Sequence, residues 1–216
     1  MNVIFVIILN VFELVASLTG FYYWGRIKNS YWRYFPVYLG VIFLTEIVAE
    51  YLLYFRSEVN LNISIYRYWA IPLQLFFYYW LYYKYFKGKK FASLPVYFSV
   101  IYFAAFLSDR IFDNLNKQFD EISYSVGSIL LLILIFCFIS AFTRSREIFR
   151  YKSSRMFWVT IGLLLFYIGS LPYWPIRTYL FNHYPDLGMK LFYFQFILNY
   201  VMYIFFIFSF IWGKER

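Results

Sequence analysis

The chain predicts an all-α fold: a polytopic transmembrane bundle of seven helices, with the N-terminus outside and the C-terminus in the cytoplasm. Three observations carry this expectation. Hydrophobic residues make up 63% of the 216 residues and charged residues only 14%, where a soluble domain runs at roughly 45–50% and about 25%. A globule of this length has too much surface for its volume to hide the excess. Seven stretches reach the ~20 mainly apolar residues that a helix needs to cross a bilayer, and Lys and Arg gather in alternate loops between them. The same composition excludes a disordered chain, a disulfide scaffold and an ordinary cytosolic enzyme.

The expected spans are Val3–Trp24, Phe35–Phe55, Tyr66–Tyr85, Phe91–Ser108, Ile122–Thr143, Met156–Trp174 and Met189–Trp212. The first lacks a basic leader, and its positive charges, Arg26 and Lys28, follow it. It therefore reads as a retained span rather than a signal peptide. Spans two and four open on matching segments, Pro36-Val37-Tyr38 and Pro95-Val96-Tyr97. An ancestral two-helix repeat and independent selection of a good helix start both account for the match. In span six, Gly162, Gly169 and Ser170 allow close helix approach, and Pro172 and Pro175 kink or end its outer part. No loop is long enough to fold alone, so residues 1–216 form a single domain. The longest, Asp109–Glu121, is a polar outer cap.

Charge sets the orientation. One side receives Arg26, Lys28 and Arg33, then Lys84, Lys87, Lys89 and Lys90. Arg144, Arg146, Arg150, Lys152 and Arg155 follow on that side, and Lys214 and Arg216 complete it. The other side holds fewer bases (Arg56, Arg67, Arg110, Lys117, Arg177 and Lys190) and most of the acids, Glu58, Asp109, Asp113, Asp120, Glu121 and Asp186. The positive-inside rule places the richer side in the cytoplasm, which suits a multi-pass protein of the cell's inner (cytoplasmic) membrane. Tyr and Trp at the span ends are interfacial anchors. The net charge of +9 then speaks for anionic lipid headgroups and against nucleic acid. One Cys (Cys137, in an apolar run) and one His (His183, in a polar outer loop) do not make a zinc site. No cofactor is implied.

The informative residues are polar ones inside the spans. Asn10, Glu13 and Ser17 share a face of span one, Glu46 and Glu50 a face of span two. Arg67 and Gln74 share a face of span three, and Gln195 and Asn199 a face of span seven. Counted from the outer span ends at about 1.5 Å per residue, Asn10, Glu13, Glu46, Gln74, Gln195 and Asn199 fall in one layer, roughly 10–15 Å deep. Glu50 lies a turn nearer the outside, and Arg67, close to the rim, is its candidate partner. A carboxylate costs about 2.5–3.5 kcal/mol at such depth. Interhelical hydrogen bonding that only braces the bundle is one reading of this layer. The other is an outward-facing cavity lined by Glu13, Glu46, Glu50, Gln74, Gln195 and Asn199, with Arg67 near its rim and Trp69 and Tyr78 around it. Such a cavity suits protons, a metal cation or a small amine.

The motifs Phe157-Trp158, Gly162-Leu163-Leu164-Leu165-Phe166-Tyr167-Ile168-Gly169 and Leu198-Asn199-Tyr200-Val201-Met202-Tyr203-Ile204 resemble those of a group of small bacterial seven-helix integral membrane proteins. The resemblance covers most of the chain. It implies seven helices and no known activity, so it assigns no catalytic or binding residue. Other seven-span families fit less well. Lys190 sits at the outer edge of span seven, not in its middle as a retinal lysine must. Asp109-Arg110 ends span four rather than span three, and Pro72-Leu73-Gln74 separates the Pro and Gln that sugar transporters of the Pro-Gln loop type join. Glu46 and Glu50 are not the adjacent pair of glutamate-dependent intramembrane proteases.

Three functions follow in order. The first is a transporter, not an enzyme, that binds a small ligand or cation at the carboxylates. The second is a receptor or accessory subunit that docks a cytoplasmic protein on the Arg144–Arg155 loop. The third is an intramembrane lipid-modifying enzyme.

Overall fold

The structure, a computed structural model, describes residues 3–112 and 121–214. Among these there is helix and no strand. The helices are α1 (Val3–Tyr22), α2 (Trp24–Ile27), α3 (Tyr34–Tyr54), α4 (Val59–Ile65), α5 (Ile71–Phe86), α6 (Leu94–Phe112), α7 (Glu121–Thr143), α8 (Arg155–Ser170), α9 (Tyr173–His183) and α10 (Pro185–Trp212). Among the described residues, Val3–Tyr22, Tyr31–Tyr54, Ile122–Thr143, Arg155–His183 and Pro185–Trp212 are long and apolar enough to cross a bilayer. The protein is therefore a multi-pass helical membrane protein. The two other expected spans coincide with α5 and α6, and the apolar part of α6, Leu94–Asp109, is shorter than those five. The outer-cap residues Asp113, Lys117 and Asp120, and Arg216 of the tail, lie outside the described residues.

The single domain expected from the sequence divides into two compact units: Met1–Ile47 with Ile139–Arg216, and Val48–Phe138. In the first, α1 and α10 run parallel. Phe5 packs on Tyr193 at 4.7 Å between ring centroids, and Phe12 on Tyr200 at 5.4 Å. The Tyr200 hydroxyl donates to the Phe5 carbonyl at 2.7 Å. α8 runs antiparallel to α10, since Gly169 meets Leu198 and Gly162 meets Met202 and Phe205. The spacing of Gly162 and Gly169 thus does what the sequence predicts. α3 starts beside the end of α1, where the Ser17 hydroxyl donates to the Pro36 carbonyl at 3.0 Å, and Phe35 meets Phe206 and Phe210.

Three of the basic segments meet at one end of this unit. Arg26 donates to the Ile211 carbonyl at 3.5 Å, and the Lys214 amide to the Ser153 carbonyl at 2.8 Å. Gly213 lies so close to the aliphatic stem of Arg155 that no Cβ fits between them. Between α7 and α8 the chain is not a bare loop: Ser145 opens a 3-10 segment, Arg146–Ser153, by accepting from the Glu147 amide.

In the second unit, α5 and α7 are parallel, with α6 antiparallel to both. The Tyr79 hydroxyl donates to the Gly127 carbonyl at 2.7 Å, and further along both helices Tyr82 and Tyr85 pack on Phe138. A Cβ on Gly127 would meet Leu75 and Tyr102. Asp109, near the end of α6, accepts from the Ser123 amide in the first turn of α7 at 2.8 Å, a carboxylate at the positive end of a helix.

Proline shapes two helices. Pro72 has no N–H to give the residue four back, and its ring crowds that carbonyl. The preceding Tyr66–Ala70 is accordingly a π-turn, with the Ile71 amide bonded to the Tyr66 carbonyl. α4, this turn and α5 form one helical run, so the third expected span begins earlier than its apolar stretch. Pro172 interrupts the sixth: α8 stops at Ser170, and α9 restarts at Tyr173 and carries His183 at its end. His183 is thus helical rather than in a loop, stacked on Tyr179 at 4.3 Å. The Pro-Val-Tyr echo opens α3 and α6, but Tyr38 is buried and Tyr97 is 62% exposed. The match extends to helix starts and not to packing, which favours independent selection over a repeat.

A Cβ on Gly162 would stand 3.0 Å from the Phe205 Cβ and 3.1 Å from the Met202 carbonyl oxygen. Gly162→Leu is expected to cost about 1–3 kcal/mol in a reversible denaturation titration in detergent micelles. Leu165→Ala, on an exposed face of the same helix, should stay within about 0.5 kcal/mol.

Candidate functional site

α1 is amphipathic in the inverted sense. Ile4, Ile7, Val11, Leu14 and Leu18 are exposed, while Val6, Asn10, Glu13, Ala16, Ser17 and Gly20 are buried. The shared face of Asn10, Glu13 and Ser17 expected from their spacing is the inward one. Glu13 is only 2% exposed, and the Tyr203 hydroxyl of α10 donates to its Oε1 at 2.9 Å.

α10 carries the rest of a polar seam. Gln195, Asn199 and Tyr203 are spaced four apart and so lie along one side of the helix. The buried Gln195 donates through Nε2 to the Gly169 carbonyl at 3.4 Å. This carbonyl belongs to the last turn of α8, where helical acceptors lose their partners, and Pro172 is the reason the turn is the last. Gln195 therefore caps a broken helix. Its Oε1 and the neighbouring Ser170 hydroxyl are both buried without a hydrogen-bond partner among the described residues. Asn199 is half-buried and donates to its own helix, at the Gln195 carbonyl, 3.3 Å away.

The expected layer is not flat. Glu13 is level with Tyr203, two turns along α10 from Gln195, about 12 Å at 1.5 Å per residue. Depth counted from span ends misleads here because α10 starts at Pro185 rather than Met189 and is 28 residues long, whereas α1 has 20. The helices are aligned by their contacts, not their ends.

The other expected residues are less enclosed. Glu46 and Glu50 are half-buried on α3, Gln74 is half-buried on α5, and Arg67 is half-buried in the π-turn. Glu13, Glu46, Gln195 and Asn199 belong to the first unit, and Glu50, Arg67 and Gln74 to the second. Of the expected aromatic surround, Tyr78 is buried but Trp69 is 53% exposed. Sequence reasoning misses one participant of the seam and misplaces one base. Tyr203 is one of 25 tyrosines, and only its spacing of four from Asn199 marks it. Arg155, expected on a docking loop, is 3% exposed in the first turn of α8. The exposed bases of that segment are Arg144, Arg146, Arg150 and Lys152.

The fold and this seam define a class, a multi-pass helical membrane protein with a buried carboxyl group on its first helix. No family model, curated protein or solved structure matches the chain.

Removing the Tyr203 hydroxyl takes a donor from a buried carboxyl oxygen, which costs about 1–3 kcal/mol. Tyr203→Phe should lose that much in a denaturation titration. In a Glu13→Leu background the same change should cost less than half as much, giving a double-mutant coupling of about 1 kcal/mol.

Proposed function

We infer that this is a transporter of a small cation or amine in the inner (cytoplasmic) membrane, working through Glu13. The observation that carries the reading is a carboxyl group 2% exposed inside a membrane-crossing helix and held by a tyrosine hydroxyl. Ionisable groups at this depth are expensive, and they mark ion and proton pathways. The polar groups also follow one another along α10 from Gln195 through Asn199 to Tyr203, a track about 12 Å long. The open hydrogen-bonding capacity of Gln195 Oε1 and the Ser170 hydroxyl suits a small polar guest at its outer end. Among the described residues, no three carboxylate, imidazole or thiol groups gather as metal ligands, so a proton or an organic amine suits Glu13 better than a metal ion. Glu46, on α3 of the same unit, is the second carboxylate of the proposed outward-facing pathway.

The threading we propose has seven crossings with the N-terminus outside, as in the small bacterial family that the motifs of spans six and seven resemble. Two features support it. Parallel first and last helices require an odd number of crossings. The meeting of Arg26, Arg155 and Lys214 at one end of the first unit agrees with a shared cytoplasmic side. A second reading, docking of a cytoplasmic protein, draws on Arg146–Ser153, where Phe149 is 86% exposed among basic residues.

Proteoliposomes containing a pH-sensitive dye, challenged with a proton gradient or with ethylammonium, are expected to show a flux that falls at least tenfold in Glu13→Gln. Unchanged flux in Glu13→Gln, Glu46→Gln and Glu50→Gln alike would overturn the reading. For the threading, single cysteines placed in a Cys137→Ala chain at Lys28, Lys89 and Lys152 should react with an impermeant maleimide only after the cells are opened. One at Asn60 should react in intact spheroplasts.

A further inference from the structure

The α5–α6 hairpin forms an open groove of about 520 Å³, inside the roughly 300–1,000 Å³ range of small-molecule pockets. It contains none of the carboxylate or amide residues discussed above. Phe76, Trp80 and Tyr83 wall it from α5, and Pro95, Val100 and Phe103 from α6. From Pro95 to Phe103 the groove follows α6 for about 12 Å, close to the ~15 Å of one leaflet of hydrocarbon. Its polar surface is slight: the lining Ser99 spends its hydroxyl proton on the Pro95 carbonyl of its own helix. An occupant must therefore be apolar along its length.

One end of the groove adjoins the turn between α5 and α6, and that end is strongly basic. Lys87, Lys89 and Lys90 are exposed there. Lys84 stands at the mouth, its Nζ 5.6 Å from the Trp80 ring centroid and 5.9 Å from that of Tyr83. Those two rings are walls of the groove, so a cation and an acyl-sized slot share their side chains. Gly88, with φ of 77°, lies in the turn that carries Lys87, Lys89 and Lys90, and Lys89 holds its Nζ 3.6 Å from the ring centroid of Tyr85.

We propose that the groove is a binding site for an anionic glycerophospholipid such as phosphatidylglycerol. One acyl chain lies against Phe76, Trp80 and Phe103, and the phosphate sits on Lys84 and the lysines of the turn. Charge complementarity selects this occupant over a zwitterionic lipid, and over an apolar helix of a partner protein, which would leave the lysines unused. The site is independent of Glu13 and of the transport reading.

Trp80 is itself the reporter. The full chain is reconstituted in phosphatidylcholine vesicles carrying a minor fraction of dibrominated phosphatidylglycerol, or the same fraction of dibrominated phosphatidylcholine. Subtracting the emission of Trp80→Phe isolates the Trp80 signal. The anionic quencher is expected to act at least about threefold more strongly than the zwitterionic one, given several lysines at the headgroup level. Replacing Lys84, Lys87, Lys89 and Lys90 by Gln should bring the ratio to one. Ser99→Phe fills the slot and keeps every lysine, and should abolish the preference as well. Equal quenching by the two lipids in the unaltered chain, no quenching by either, or a preference that survives Ser99→Phe would each overturn the proposal. Should Trp80→Phe fail to fold, retention of phosphatidylglycerol over phosphatidylcholine by detergent-purified protein, with and without the four lysines, decides the same question.

Discussion

Hydrocarbon offers no hydrogen bonds, and that one constraint organises this protein. Burying apolar surface gains nothing when the surroundings are equally apolar. The exposed Ile, Val and Leu of α1 need no protein partner, whereas its Asn, Glu and Ser must find one. The helix turns its polar stripe inward for this reason, and the partners it meets are specific. Glu13 takes the Tyr203 hydroxyl, and Ser17 gives its proton to the Pro36 carbonyl. Cohesion then comes from close contact. Gly162 and Gly169 bring α8 onto α10, and Gly213 admits the stem of Arg155.

The same constraint governs the breaks. Both interrupted helical runs owe their irregularity to proline, and in both the chain resolves the damage locally. At Pro72 the backbone widens to a π-turn. At Pro172 the helix stops and restarts, and a side chain from α10 takes a carbonyl of the last α8 turn. Irregular backbone at membrane depth persists where protein surrounds it or where it lines a polar space. Arg67 lies in the first of these breaks, and Gln195 reaches the Gly169 carbonyl at the second. Gln195 thus has a structural duty whatever else it does, and only one end of its amide is occupied by that duty. Glu13 differs in being ionisable, and the Tyr203 hydroxyl occupies one of its two carboxyl oxygens.

Much of the fold was legible because lipid-facing helices are written in composition. Five of the expected apolar runs became helices suited to crossing a bilayer, and the glycine spacing in α8 marked a true contact. The inward face of α1 was legible from the period of Asn10, Glu13 and Ser17. What was not legible depends on registration between distant segments. Nothing local to residue 203 says that it will stand beside residue 13. Depth counted from span ends placed Gln195 there instead, because a sequence shows where a helix is apolar and not how far it protrudes past its neighbour. Arg155 was misread for a related reason. It looks like one more charge on a basic loop, but it is buried, with Gly213 packed against its stem.

The distance in sequence between Glu13 and its donor bears on how such a seam is assembled. A helix inserts before it packs, so α1 must enter the bilayer with its carboxyl group while Tyr203 is still 190 residues away. Its thirteen Val, Ile, Leu and Phe residues, at about −0.3 to −0.6 kcal/mol each, supply about −4 to −8 kcal/mol. That exceeds the penalty of about 2.5–3.5 kcal/mol for a charged group at the centre. The surplus lets one acid be carried in unassisted. Glu13 is the one acid of α1, whereas α3 carries two, Glu46 and Glu50, both half-buried. The seam can then close only when α10 packs parallel to α1, so the carboxyl group gains the Tyr203 hydroxyl after insertion rather than during it.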